Sequence, residues 1–75
     1  MTEGKLAEIL NDRYFNAGEG KVALSIHLFG IDHAIELQGH NIEQICALAN
    51  IPKSYGTEIR KGMRLAEYVV RRTNN

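Results

Sequence analysis

Four residues of this chain have side chains that could bind a metal or attack a substrate: His27, His33, His40 and the lone cysteine, Cys46. Zinc sites in proteins bring imidazole and thiolate ligands in close pairs, a few residues apart. The spacing here, H-x5-H-x6-H-x5-C, matches no such pair, so no metal is expected. A cysteine attacks as its thiolate, and Cys46 stands in the apolar run ICALA, where burial disfavours that anion. Gly18-Glu-Gly-Lys21 has the glycines and lysine of a phosphate cradle but neither its length nor its Ser or Thr, and it reads as a turn. No catalytic role and no cofactor is expected.

The remaining chemistry is charge. The formal net charge is zero, yet residues 1 to 40 carry three basic and six acidic residues, and residues 41 to 75 carry six basic and three acidic. A basic half on a neutral chain is the footprint of a surface that meets phosphates, or equally of a solvated mixed-charge helix. Seventy-five residues permit one small domain, 1 to 75, with an economical core and no room for a large cleft. Apolar residues at 44% and charged residues at 24% are ordinary for a folded globular chain. No apolar run nears the roughly 20 residues that span a bilayer, and TEGKLAEILNDR lacks the basic-then-apolar order of a signal peptide. A cytoplasmic protein without membrane association is expected. One cysteine forms no internal disulfide, so packing and oligomerisation must supply stability.

Five helical segments can be read along the chain. Thr2 caps a first helix carrying Leu6, Ile9, Leu10 and Tyr14 on one face, which stops in Asn16-Ala-Gly-Glu-Gly20. The stretch KVALSIHLFGI alternates like a strand, but no second strand exists to pair with it, so a helix with Val22, Ala23, Ile26 and Phe29 inward is expected. Asp32 should cap a short helix, HAIELQ, ended by Gly39. Asn41-Ile-Glu-Gln44 resembles a capping box and starts a helix at Ile42; Asn50 closes it in a left-handed turn. Pro52 suits the entry to a last helix running to about Arg72 with Ile59, Met63, Ala66 and Val70 inward, before a frayed tail at 73 to 75. Arg71 and Arg72 read as phosphate anchors or as a basic helix end. The fold class expected is all-α, a compact bundle of four to five short helices.

Residues 42 to 61 resemble the twenty-residue helix-turn-helix core of small bacterial and phage regulators. Its fourth position is an apolar anchor, here Ile45. The fifth must be small where the second helix crosses, here Cys46. The eighth is small or apolar, here Ala49; the ninth lies in the turn, here Asn50; the tenth plugs the turn, here Ile51; the eighteenth anchors the second helix, here Ile59. The fifteenth departs, because Gly56 stands where a branched apolar residue belongs. Glycine there costs roughly 1 kcal/mol of helix propensity and leaves a gap, so the second helix is expected to start at Tyr55 or Gly56 or to sit closer than usual to its neighbour. The weaker likeness between LFGIDHAIEL and LANIPKSYGTEI is a decoy, since Ile26 and Phe29 are bulky where a tight crossing needs small residues.

The resemblance implies a transcription regulator that reads double-stranded DNA in the major groove with the helix after Pro52. Lys53, Ser54, Thr57 and Lys61 would then face base edges or phosphates, and Arg60 and Arg64 would favour phosphates. Glu58 could accept from cytosine, though a solvated face with Lys61 beside it suits a carboxylate better. Tyr55 fits the core or its rim. A homodimer joined through the acidic N-terminal half is one expectation. The other is a protein-interaction module, an accessory or inhibitory protein that keeps the geometry but reads no DNA, for which neutral charge, Gly56 and Glu58 speak.

Overall fold

The computed structural model describes residues 1 to 72, so the tail expected to fray at 73 to 75 lies outside the described residues. The elements are α1 (Glu3–Phe15), α2 (Val22–Asp32), α3 (Ala34–Leu37), α4 (Ile42–Leu48), a 3-10 turn (Lys53–Tyr55) and α5 (Gly56–Leu65). The described residues are all helix and connection, as the periodicity predicts, with no strand among them. The ambiguous VALSIHLFGID segment is helical, with Ile26, Phe29 and Gly30 buried and Val22 partly buried, whereas Ala23, expected inward, is exposed.

Local chemistry sets the boundaries. The Thr2 hydroxyl accepts the Lys5 amide at 3.1 Å and starts α1. Asn16 stops it, its own amide and side-chain nitrogen both donating to the Asp12 carbonyl at 3.0 Å. Asn41 caps α4 by accepting the Gln44 amide at 3.0 Å. At the other end of α4, Asn50 adopts φ 63°, the one left-handed non-glycine residue among those described. Its amide donates to the Ala47 carbonyl at 3.0 Å and that of Ile51 to the Cys46 carbonyl at 3.1 Å. Those two bonds make a Schellman ending, which turns Ile51 back into the core.

Two further expectations fail. Asp32 does not cap α3; it is the last residue of α2, and His33 precedes α3 without a side-chain capping bond. The Asp32 carboxylate instead takes Arg13 at 2.8 Å and Arg71 at 2.5 Å, from α1 and from the segment beyond α5. The last helix does not reach Arg72 but ends at Leu65. Met63 packs at the core edge, whereas Val70, counted on the same stripe, is 95% exposed. Past Ala66 the stripe has no partner to bury against, and β-branched Val69 and Val70 add little helix propensity of their own.

The core joins Leu6, Ala7 and Leu10 of α1, Ile26 and Phe29 of α2, Leu37 of α3, Ile42, Ile45 and Cys46 of α4, Ala49 and Ile51 of the turn, and Ile59 of α5. Helix α5 lies most closely on α2, where Gly30 and Gly62 face each other. A Cβ on Gly30 would fall on the Ile59 carbonyl oxygen and lie 3.0 Å from the Gly62 Cα; one on Gly62 would fall on the His27 carbonyl oxygen and lie 2.9 Å from the Gly30 Cα. Backbone meets backbone there, so the tight crossing sits one residue past the bulky Phe29 and is made by glycines.

Candidate nucleic-acid interface

Helix α5 and the turn before it present the exposed polar surface. Gly56, Ile59 and Gly62 are buried against the bundle. Thr57, Arg60, Lys61 and Arg64 are exposed, and their spacing of i, i+3, i+4 and i+7 sets them on one face of the helix, within about 100° of arc. Lys53 and Ser54 are exposed on the 3-10 turn leading into that face. All six residues expected to meet DNA thus lie on one continuous stretch, with Leu65 and the 80% exposed Tyr68 flanking it beyond Lys61 and Arg64.

Helix α1 holds this stretch at two points. The Schellman turn leaves the Ala49 carbonyl at the end of α4, and Asn11 of α1 donates to it at 2.9 Å. Tyr55 packs edge-on to Tyr14 of α1 with ring centroids 5.3 Å apart, and burial pushes its phenol up from the ordinary value. Pro52 precedes the 3-10 turn, and the helix itself starts at Gly56, the later of the two starts that glycine suggested.

Glu58 does not face outward as a base reader. It turns to α2, where its Oε1 lies 2.6 Å from His27 Nε2, and its Oε2 lies 3.7 Å from Lys61 Nζ on the next turn. The His27 hydrogen bond, then the Lys61 charge, hold the Glu58 carboxyl below its ordinary range. A carboxylate beside the exposed basic face of α5 is thereby drawn off it.

Arg60 is likewise held. Its Nη1 donates to Glu43 Oε2 at 2.5 Å and its Nη2 to Glu43 Oε1 at 2.6 Å, a two-pronged bridge from α5 to α4. The Arg60 hydrogen bonds hold the Glu43 carboxyl below its ordinary range. Gly56 lies under the bridge: a Cβ there would stand 2.6 Å from Glu43 Oε2 and 3.3 Å from Arg60 Nη1. The gap expected at Gly56 is therefore covered by an ion pair, and the apolar residue usual at that position would displace it. Glu43 was not singled out from the sequence and His27 was weighed only as a metal ligand, since each meets its partner across many residues; an unexplained glycine in α5 was the one signal of the first.

The histidines disperse. His27 meets Glu58, His33 Nδ1 lies 3.2 Å from Glu36 and His40 Nδ1 3.6 Å from Glu3. No group of metal-ligand residues forms among the described residues. Cys46 is fully buried in the core, and desolvation pushes its thiol up. No helix of the described residues is long and apolar enough to cross a membrane.

A short capped helix, a left-handed turn plugged by Ile51 and a second helix exposed along its outer face define a helix-turn-helix protein. The match to a family model agrees: residues 2–72 fit the HTH-like domain, and the chain belongs to that family. No curated protein and no solved structure matches it.

Proposed function

We propose that the chain is a small DNA-binding transcription regulator, cytoplasmic and bacterial, that docks the Lys53–Tyr55 turn and α5 in the major groove of double-stranded DNA as a homodimer. The observation that carries this reading is the single exposed face of Thr57, Arg60, Lys61 and Arg64, continuous with Lys53 and Ser54, opposite a face buried at Gly56, Ile59 and Gly62. Membership of the HTH-like domain family supports it. Lys53 and Lys61 donate to guanine acceptors or phosphates, Ser54 and Thr57 to either, and Arg60 and Arg64 to phosphates. Phe15 and Leu24, large apolar side chains exposed on α1 and α2, supply a dimer contact on the acidic half. The reading includes no catalysis and no cofactor.

Titration with duplex DNA at two salt concentrations tests it. Four cations per protomer, Lys53, Arg60, Lys61 and Arg64, predict a slope of log K against log salt of about −3 to −4 per protomer. Changing Lys53 and Lys61 together to Ala should flatten it by about 2. No binding at low salt would sink the reading. It would favour the second one, a protein-interaction module, for which the engagement of Arg60 by Glu43 and the exposed Tyr68 speak.

A further inference from the structure

Three features of α4 and α5 lack a role in the bundle itself. Glu43 and Arg60 are both about half exposed, at 42% and 50% of the side chain, and exposed ion pairs add little to stability. The pair also requires glycine at position 56, in a helix that would be firmer with almost any other residue. The arrangement therefore serves poorly as a brace. What it does is fix one long side chain. An arginine has five N–H donors in a planar fork. Glu43 takes one from each Nη of Arg60, leaving the Nε–H and one further N–H on each Nη. The free edge of the fork belongs to a residue on the same exposed face as Thr57, Lys61 and Arg64.

We propose that Glu43 is a positioning residue for DNA recognition: it holds the Arg60 guanidinium in one orientation, so that its free edge meets a backbone phosphate only when α5 is seated in its own site. The inference rests on the DNA-binding reading above. A phosphate contact fixes register on the duplex without reading sequence. When the guanidinium is clamped, that contact forms in the seated complex and is missed in others. When it is loose, it follows whatever phosphate is near, at the expense of the difference between sites. Glu43 thus turns a general cation into one that favours correct docking, and Gly56 makes the room.

The test uses the full chain, a duplex selected from a randomised pool, and an unrelated duplex. Glu43→Gln removes the clamp's charge at nearly constant shape. Gly56→Ala pushes the Glu43 carboxylate aside through a flexible side-chain end, with the backbone undisturbed. Each should lower the ratio of selected to unrelated affinity about tenfold, with unrelated binding unchanged or tighter and the melting temperature close to that of the wild type. Arg60→Lys, which keeps the charge and loses the fork, should lower the ratio as far, and adding Glu43→Gln to it should do nothing more. A ratio unchanged in Glu43→Gln, or both affinities rising by the same factor, would overturn the inference while leaving DNA binding intact. Failure of the wild-type chain to bind any duplex at low salt would overturn the DNA-binding reading and this inference together.

Discussion

Replacing Gly62 with alanine adds one methyl group to the place where α2 and α5 touch. The new Cβ would fall on the His27 carbonyl oxygen, 2.9 Å from the Gly30 Cα and 3.1 Å from the Ile31 amide nitrogen. All three neighbours are backbone, so no side-chain rotation relieves the contact and the helices must part. Parting them loosens Ile26, Phe29 and Ile59, which are fully buried. Overpacking of this kind costs roughly 1 to 3 kcal/mol, and the unyielding neighbours favour the upper end. Against it stands the gain in helix propensity, about 1 kcal/mol. The net loss is about 2 kcal/mol, out of a stability of about 4 to 11 kcal/mol for a chain of this length. Thermal unfolding followed by circular dichroism should show a melting temperature lower by about 8 to 16 °C. Gly4→Ala is the internal control. Gly4 lies in α1, where a Cβ would meet nothing nearer than the Thr2 hydroxyl at 4.0 Å, so the same substitution should stabilise by about 0.5 kcal/mol. If Gly62→Ala melts at or above the wild-type temperature, the backbone contact is not what seats α5.

Acid should weaken the fold with a definite sign. Glu43 and Glu58 have carboxyls held below their ordinary 4.5, by Arg60 and by His27 with Lys61 respectively. The contribution of each is present above pH 4.5 and lost as pH falls through its lower folded value; melts across this range should show a shallower acid decline in Glu58→Gln than in the wild type, and a nearly unchanged one in Glu43→Gln, whose ion pair is exposed. Asn11→Ala should cost about 1 kcal/mol by leaving the Ala49 carbonyl without its donor, read as a lower denaturant midpoint at unchanged slope. Cys46 should resist a thiol reagent in the native state and react at once in denaturant, because it is fully buried and its thiol is pushed up.

Legibility of the chain followed the range of the interactions. Thr2, Asn41 and Asn50 act on amides within a few residues, so their caps and turn could be read directly, and the helix-turn-helix pattern placed Cys46, Ile51 and Ile59 in the core they occupy. The periodic stripe of α5 continued past the helix end because a pattern does not reveal whether a neighbour is there to cover it; Val70 has none. Asp32 has the right residue type for a cap, but two arginines from distant segments claim its carboxylate. The Gly30–Gly62 contact escaped for the same reason. Each glycine is unremarkable alone, and its meaning lies in the other. At the site, the exposed face of α5 follows from spacing alone, whereas the clamping of Arg60 and the turning away of Glu58 depend on Glu43 and His27, which only the folded chain brings near.

The central claim, that the turn and outer face of α5 meet DNA, is tested most directly by amide chemical-shift mapping of the full chain on addition of a selected duplex. Shifts should concentrate at Lys53, Ser54, Thr57, Lys61 and Arg64 and at the α4 residues beside them, and should fade as salt is raised. Shifts confined to the outer faces of α1 and α2, or none at low salt, would contradict it.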